Sequence, residues 1–164
     1  MMKMFRKHPT FNIQHPTSND SGMGIMVFND GEGQKRRFDL EIRLLEFASA
    51  VIDLSEALPN TRAGNHVAGQ ILRSGTSPYP HHGEAEDAES RDDFIHKLKI
   101  CLKELRETHR WARLIKLKGW AKEETALLYV SSEGDELIRI SYSSIQTAKR
   151  NALADRHRQG NPEA

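Results

Sequence analysis

Apolar positions recur every three to four residues along most of this chain, the spacing of helices that each bury one side. The pattern runs longest from Ser90 to Gly119, where Phe94, Leu98, Cys101, Leu102, Leu105 and Ala112 form the apolar stripe. At 1.5 Å per residue this predicts a rod of roughly 43 Å. Ser90, three residues ahead of Asp93, reads as its N-cap, and Gly119 as its stop. Lys99, Lys103, Arg106, Arg110 and Arg113 step by 4, 3, 4 and 3 residues and so make a ridge of cations beside that stripe. Ile100, Glu104, Glu107, Trp111 and Leu114 fall about opposite it. A tryptophan turned away from a chain's own core predicts a covering second copy, with Ile100, Trp111 and Leu114 as the oligomer contact.

Three more helices follow from the same period. Leu40, Leu44, Phe47, Ala48, Val51, Leu54 and Leu58 predict one over about 38–58, ended by Pro59, which disfavours helical geometry at the residue before it. A second, over about 61–86, carries His66, Val67, Gln70, Ile71 and Arg73 and is expected to kink near Pro78, because Pro78 and Pro80 each remove a backbone donor. The Ser90 helix spans about 90–118. Leu127, Val130, Gly134, Leu137, Ser141, Ile145 and Ala148 predict the last over about 122–151, with Gly134 and Ser141 on its buried face pointing to a close helix approach. The fold expected is an all-α, antiparallel, up-down four-helix bundle over 37–151. Residues 1–36, with Pro9, Pro16 and four glycines from Gly22 to Gly33, predict a flexible N-terminal tail, or a start of translation at Met23 or Met26. Residues 152–164 predict a polar C-terminal tail.

Composition narrows the function classes. The chain has 164 residues, 37% hydrophobic, 29% charged and 7% aromatic, which suits one soluble helical domain better than a β-sandwich. Its net charge of +1 supplies no bulk attraction to nucleic acid or membrane, so any electrostatic role must come from local segregation. The segregation is present. Besides the cation ridge, residues 84–93 hold six acids against Arg91 alone. The single cysteine excludes an internal disulfide and fits a reducing cytoplasm. No apolar run approaches the ~18 residues of a membrane span, and the basic N-terminus lacks the apolar core of a signal peptide.

The segments QILRSGTS (70–77), Glu84-Ala85 and AESRDDFIHKLKICLKELRETHRWARLI (88–115) occur in order, with FDLEIRLLEFA near Phe38, ALPNTRAG near Ala57 and DELIRISYSSIQTAKRN near Asp135. Together they resemble the bacterial four-helix-bundle proteins encoded in intervening sequences of 23S ribosomal RNA genes. The accessory variability proteins of diversity-generating retroelements are similar. The resemblance covers about 38–151. It implies a bundle that assembles into a ring-like homopentamer, association with RNA or DNA, a reverse transcriptase or other nucleic-acid enzyme as a further partner, and no established enzymatic activity or cofactor. The departure lies at Tyr79 to Gly83, where similar proteins carry small residues and an asparagine and this chain has Tyr79, Pro80, His81 and His82.

Each candidate chemistry has a plainer counterpart. The ridge Lys99, Lys103, Arg106, Arg110 and Arg113 could hold nucleic-acid phosphates, or it could be a solvated face balanced by Glu104 and Glu107 or by the acidic 84–93 segment of a neighbouring subunit. His81, His82 and Glu84 invite a metal reading, yet nothing sets a tetrahedral ligand spacing. Asp93 and His96 make one Asp-x-x-His where a di-iron bundle needs paired motifs. His109 reads as a packing or interfacial residue. Ser74, Thr76 and Ser77 lack a neighbouring base and orienting acid. The reading adopted is a non-enzymatic, homo-oligomeric scaffold that binds nucleic acid or a nucleic-acid enzyme through the ridge. A purely protein-binding scaffold is the alternative, and a metal-dependent enzyme at His81, His82 and Glu84 the remote one.

Overall fold

The structure, a computed structural model, describes residues 27–28, 36–37, 40–121 and 124–159. The chain divides into two units, Met1–Phe38 and Asp39–Ala164. In the first, strands β1 (Val27–Phe28) and β2 (Arg36–Arg37) pair antiparallel, Val27 opposite Arg37 and Phe28 opposite Arg36. The rest of the flexible tail expected over 1–36 lies outside the described residues.

The second unit is the expected four-helix bundle. Its helices are α1 (Leu40–Glu56), α2 (Arg62–Thr76), α3 (Pro78–Glu86), α4 (Arg91–Lys118) and α5 (Glu124–Gln159). α2 and α3 together make one bent rod. Ser77 between them keeps helical dihedrals (φ −60°, ψ −35°), its N–H donates to the Arg73 carbonyl at 3.3 Å, and its own carbonyl accepts from the His81 N–H at 3.3 Å. Pro78 and Pro80 bend this rod without unwinding it, which is the kink expected at that point.

Local chemistry sets the remaining ends. Thr61 caps α2 by accepting from the Gly64 N–H at 3.0 Å, and Ser90 caps α4 by accepting from the Asp93 N–H at 3.2 Å. Gly119 closes α4 in the left-handed region at φ 62°, where its N–H reaches the Lys116 carbonyl and the Trp120 N–H the Ile115 carbonyl. That pair of bonds is a Schellman motif. The last helix departs from expectation. It runs to Gln159, not to about Asn151, so part of the stretch assigned to a polar tail is helical. The apolar repeat stops near Ala148, but residues 151–159 contain no glycine or proline to end the helix. Asp155 in this extension pairs with Arg91 at the start of α4.

The core has two sections. The larger joins Leu44, Phe47, Val51 and Leu54 of α1 to Ile71 of α2, Leu105 and Ile115 of α4, and Val130 and Leu137 of α5. The smaller gathers Ala85, Ile95, Leu98, Leu102 and Ile145. Arg43 of α1 reaches Glu133 of α5 at 2.6 Å, and that hydrogen bond raises the guanidinium pKa further. The tight approach of one helix to another lies at Gly75 and not at Gly134. A Cβ on Gly134 would meet Phe47 at an ordinary 3.5 Å, whereas one on Gly75 would come within 2.5 Å of Val51. Gly75→Ala should therefore cost about 1–3 kcal/mol through overpacking. Gly134→Ala should be neutral or stabilise by up to about 1 kcal/mol through helix propensity. Urea unfolding midpoints of the two variants check both signs.

Candidate nucleic-acid interface

α4 touches α2, α3 and α5, so neighbours flank it on two sides. Its buried arc is correspondingly wide. Ile95, Leu98, Cys101, Leu102, Leu105, Ala112 and Ile115 lie inside, and so do Thr108 and Glu104. Glu104, about 100° round the helix from Leu105, was expected to face outward, yet its side chain is only 8% exposed because α2 lies over it. Trp111 and Leu114 are likewise half-buried and pack against the main core. Ile100 is half-buried too.

The seam between α2 and α4 is polar. Arg73 of α2 places Nη2 at 2.5 Å from Oε1 of Glu107 and Nη1 at 3.7 Å from Oε2 of Glu104. The latter oxygen is buried and has no hydrogen-bond donor, so the guanidinium compensates it only as an ion pair. Trp111 donates its indole N–H to Oε1 of Glu107 at 3.4 Å, and its ring meets His66 edge-on at 6.3 Å. Beneath them the hydroxyls of Ser74 and Thr108 lie 3.0 Å apart. Further along, Lys97 reaches Glu84 at 2.6 Å, a hydrogen bond that lowers the Glu84 pKa and raises that of Lys97.

All five residues of the expected ridge, Lys99, Lys103, Arg106, Arg110 and Arg113, are exposed on α4. Lys103 lies 3.8 Å from Oε1 of Glu104. Among the described residues the other four have no acidic partner. Glu107 is turned to Arg73, and Glu104 lies between Arg73 and Lys103. Arg110 and Arg113, with Leu114 and Leu117, also line an open depression of about 300 Å³, and Leu117 is 83% exposed.

The histidines are drawn to separate partners. His81 Nδ1 lies 2.7 Å from the Ser77 carbonyl, His82 is buried with Nδ1 3.8 Å from Glu86, and His109 bridges to Asp135 of α5 at 3.3 Å. Among the described residues, no three of His, Cys, Asp and Glu come together so as to hold a metal ion. No described helix is long and apolar enough to cross a membrane. Sequence reasoning missed the roles of Arg73, Ser74 and Thr108. The one signal available was that Glu104 and Thr108 flank the α4 stripe at helical spacing, which marks a border position without saying which neighbour covers it.

A family model described as 23S rRNA-intervening sequence protein matches residues 40–143. A crystal structure from Bacteroides thetaiotaomicron, described as a protein with unknown function from the S23 ribosomal protein family, is similar at 36% identity and a TM-score of 0.58. The match covers 65% of this chain and 97% of that one. No curated protein matches.

The buried Cys101 thiol lies 3.5 Å from the Pro78 carbonyl, and burial pushes its pKa up to about 12. It therefore stays protonated throughout the neutral range, and the thiolate is the reactive form. Iodoacetamide at pH 8 should leave the folded protein unmodified and label it once urea unfolds it, as intact mass spectrometry would record.

Proposed function

We infer that this chain, which belongs to the 23S rRNA-intervening sequence protein family, is a non-enzymatic, homo-oligomeric scaffold whose α4 ridge binds the phosphate backbone of nucleic acid. One observation carries the reading. Lys99, Arg106, Arg110 and Arg113 are exposed and, among the described residues, unpaired, on a chain whose net charge is only +1. A surface that needed only solubility would intersperse both signs. Cations lined up along one helix face suit a phosphate backbone, which they bind by releasing its condensed counterions. Few aromatic rings lie near the ridge, so the contact is to backbone and not to base sequence.

Assembly completes this reading. Trp111 and Leu114 lean on their own core and leave only part of their surface outside; with half-buried Ile100 that remainder is the contact proposed for a second copy, and a closed ring of five, as the family resemblance implies, would repeat the ridge around its circumference. Repetition turns a modest patch into an avid one. A nucleic-acid enzyme such as a reverse transcriptase is the further partner that fits such a ring. The exposed Leu117 beside Arg110 and Arg113 favours a second reading, a scaffold for an acidic protein segment with apolar anchors.

A salt titration separates the two. Binding to homopolymeric RNA or generic duplex DNA should weaken steeply with salt, and each ridge cation changed to glutamine should lower the log–log slope by about 0.7 on single strands or 0.9 on duplex. A flat or absent response excludes phosphate contacts. Ile100→Glu should lower the assembly mass by light scattering and leave helix content unchanged by circular dichroism; an unchanged mass removes this face from the interface.

A further inference from the structure

We propose that Arg73, which lies on α2 and off the ridge, is a positioning residue for nucleic-acid binding: it holds Glu107, and in part Glu104, on the seam side of α4 and so leaves most of the ridge uncompensated. The inference rests on the ridge reading above and names what maintains it.

The geometry follows from α4 itself. Residues three and four apart on a helix are surface neighbours, so Glu107 is one turn from both Lys103 and Arg110, and Glu104 is adjacent to Lys103. On an isolated helix Glu107 would pair with Lys103 or Arg110, and with Glu104 turned to Lys103 as well, two of the five ridge cations would be neutralised. In the bundle Glu107 does not turn that way. The planar guanidinium of Arg73 forks to both, at 2.5 Å to Glu107 and 3.7 Å to Glu104, and the Trp111 indole N–H adds a second donor to the same Glu107 oxygen. Only a forked donor can address two carboxylates a turn apart from one side. Glu104 still lies 3.8 Å from Lys103, so its retention is partial, and it is buried with one oxygen lacking any hydrogen-bond donor. Such a carboxylate turns to whatever cation is nearest. Without Arg73 that cation is Lys103.

The test is a mutant cycle read in salt slopes, with homopolymeric uridine RNA as the probe and circular dichroism as the folding control. Arg73→Gln should free both carboxylates to neutralise two ridge cations and lower the slope by up to about 1.4, twice the loss expected from deleting one direct phosphate contact. Glu107→Gln alone should leave the slope nearly unchanged, since its carboxylate already faces away. Combined with Arg73→Gln it should restore about 0.7 of the lost slope. If Arg73 merely touches phosphate, the single variant loses about 0.7 and the second change restores nothing. If the seam is only structural, the slope does not move. Either result overturns the proposal while leaving the ridge reading intact, whereas a wild-type protein with no salt-dependent binding removes the ridge reading itself. Should Arg73→Gln fail to fold, Arg73→Lys carries the same test. Its ammonium holds one carboxylate and not two, so about 0.7 of slope should be lost, and an unchanged slope counts against the proposal.

Discussion

The wedging of α4 between the α2–α3 rod and α5 is the constraint from which the rest of the bundle follows. A helix with one neighbour buries a stripe, but α4 buries close to half its circumference, and that extra arc draws in Glu104 and Thr108. A buried carboxylate is costly unless a cation accompanies it. Arg73 meets that need, lying 3.7 Å from Glu104 and 2.5 Å from Glu107 on the side of α4 away from the ridge. Core packing and surface charge are therefore one problem here. The same helix contributes to both core sections, carries the ridge and closes with the Gly119 turn that returns the chain to α5.

The two flanks of α4 are held differently. Toward α5 the links are exposed or half-exposed ion pairs, Arg91 with Asp155 and His109 with Asp135, on either side of the smaller core. Such pairs contribute little to stability individually, of the order of 0–1 kcal/mol, and fix antiparallel register more than they add energy. Toward α2 the contacts run inward from Arg73 through Glu104 to the Ser74 and Thr108 hydroxyls. Arg73 itself is open to solvent, but Glu104, Ser74 and Thr108 are buried, and polar groups in such surroundings set a particular alignment because any other leaves a charge stranded.

Much of this was legible in the residues. Ser90, Gly119, Thr61 and the prolines at 59, 78 and 80 act within a turn of themselves, so their structural meaning is local and the sequence states it. The ridge was legible for the same reason, since spacing alone places Lys99 to Arg113 on one line. What depended on a neighbour was not. Glu104 and Glu107 read as counter-charges for the ridge until α2 is laid beside them, and Gly134 reads as the tight contact until Gly75 is seen against Val51. The end of α5 escaped because an apolar repeat reports burial, and a polar helix can continue after its burial has ended.

The joint at Ser77 constrains the chain in another way. Because Ser77 keeps helical dihedrals and hydrogen bonds on both sides of the joint, α2 and α3 share one rotational frame, and the two core sections are phased to each other through it. One residue inserted or deleted between Thr76 and Pro78 would turn α3 by about 100° relative to α2. Ala85 would leave the smaller core and Glu84 would lose Lys97, although neither had been altered. Loops absorb changes of length; this bend, which resembles a loop in its prolines, has no such slack.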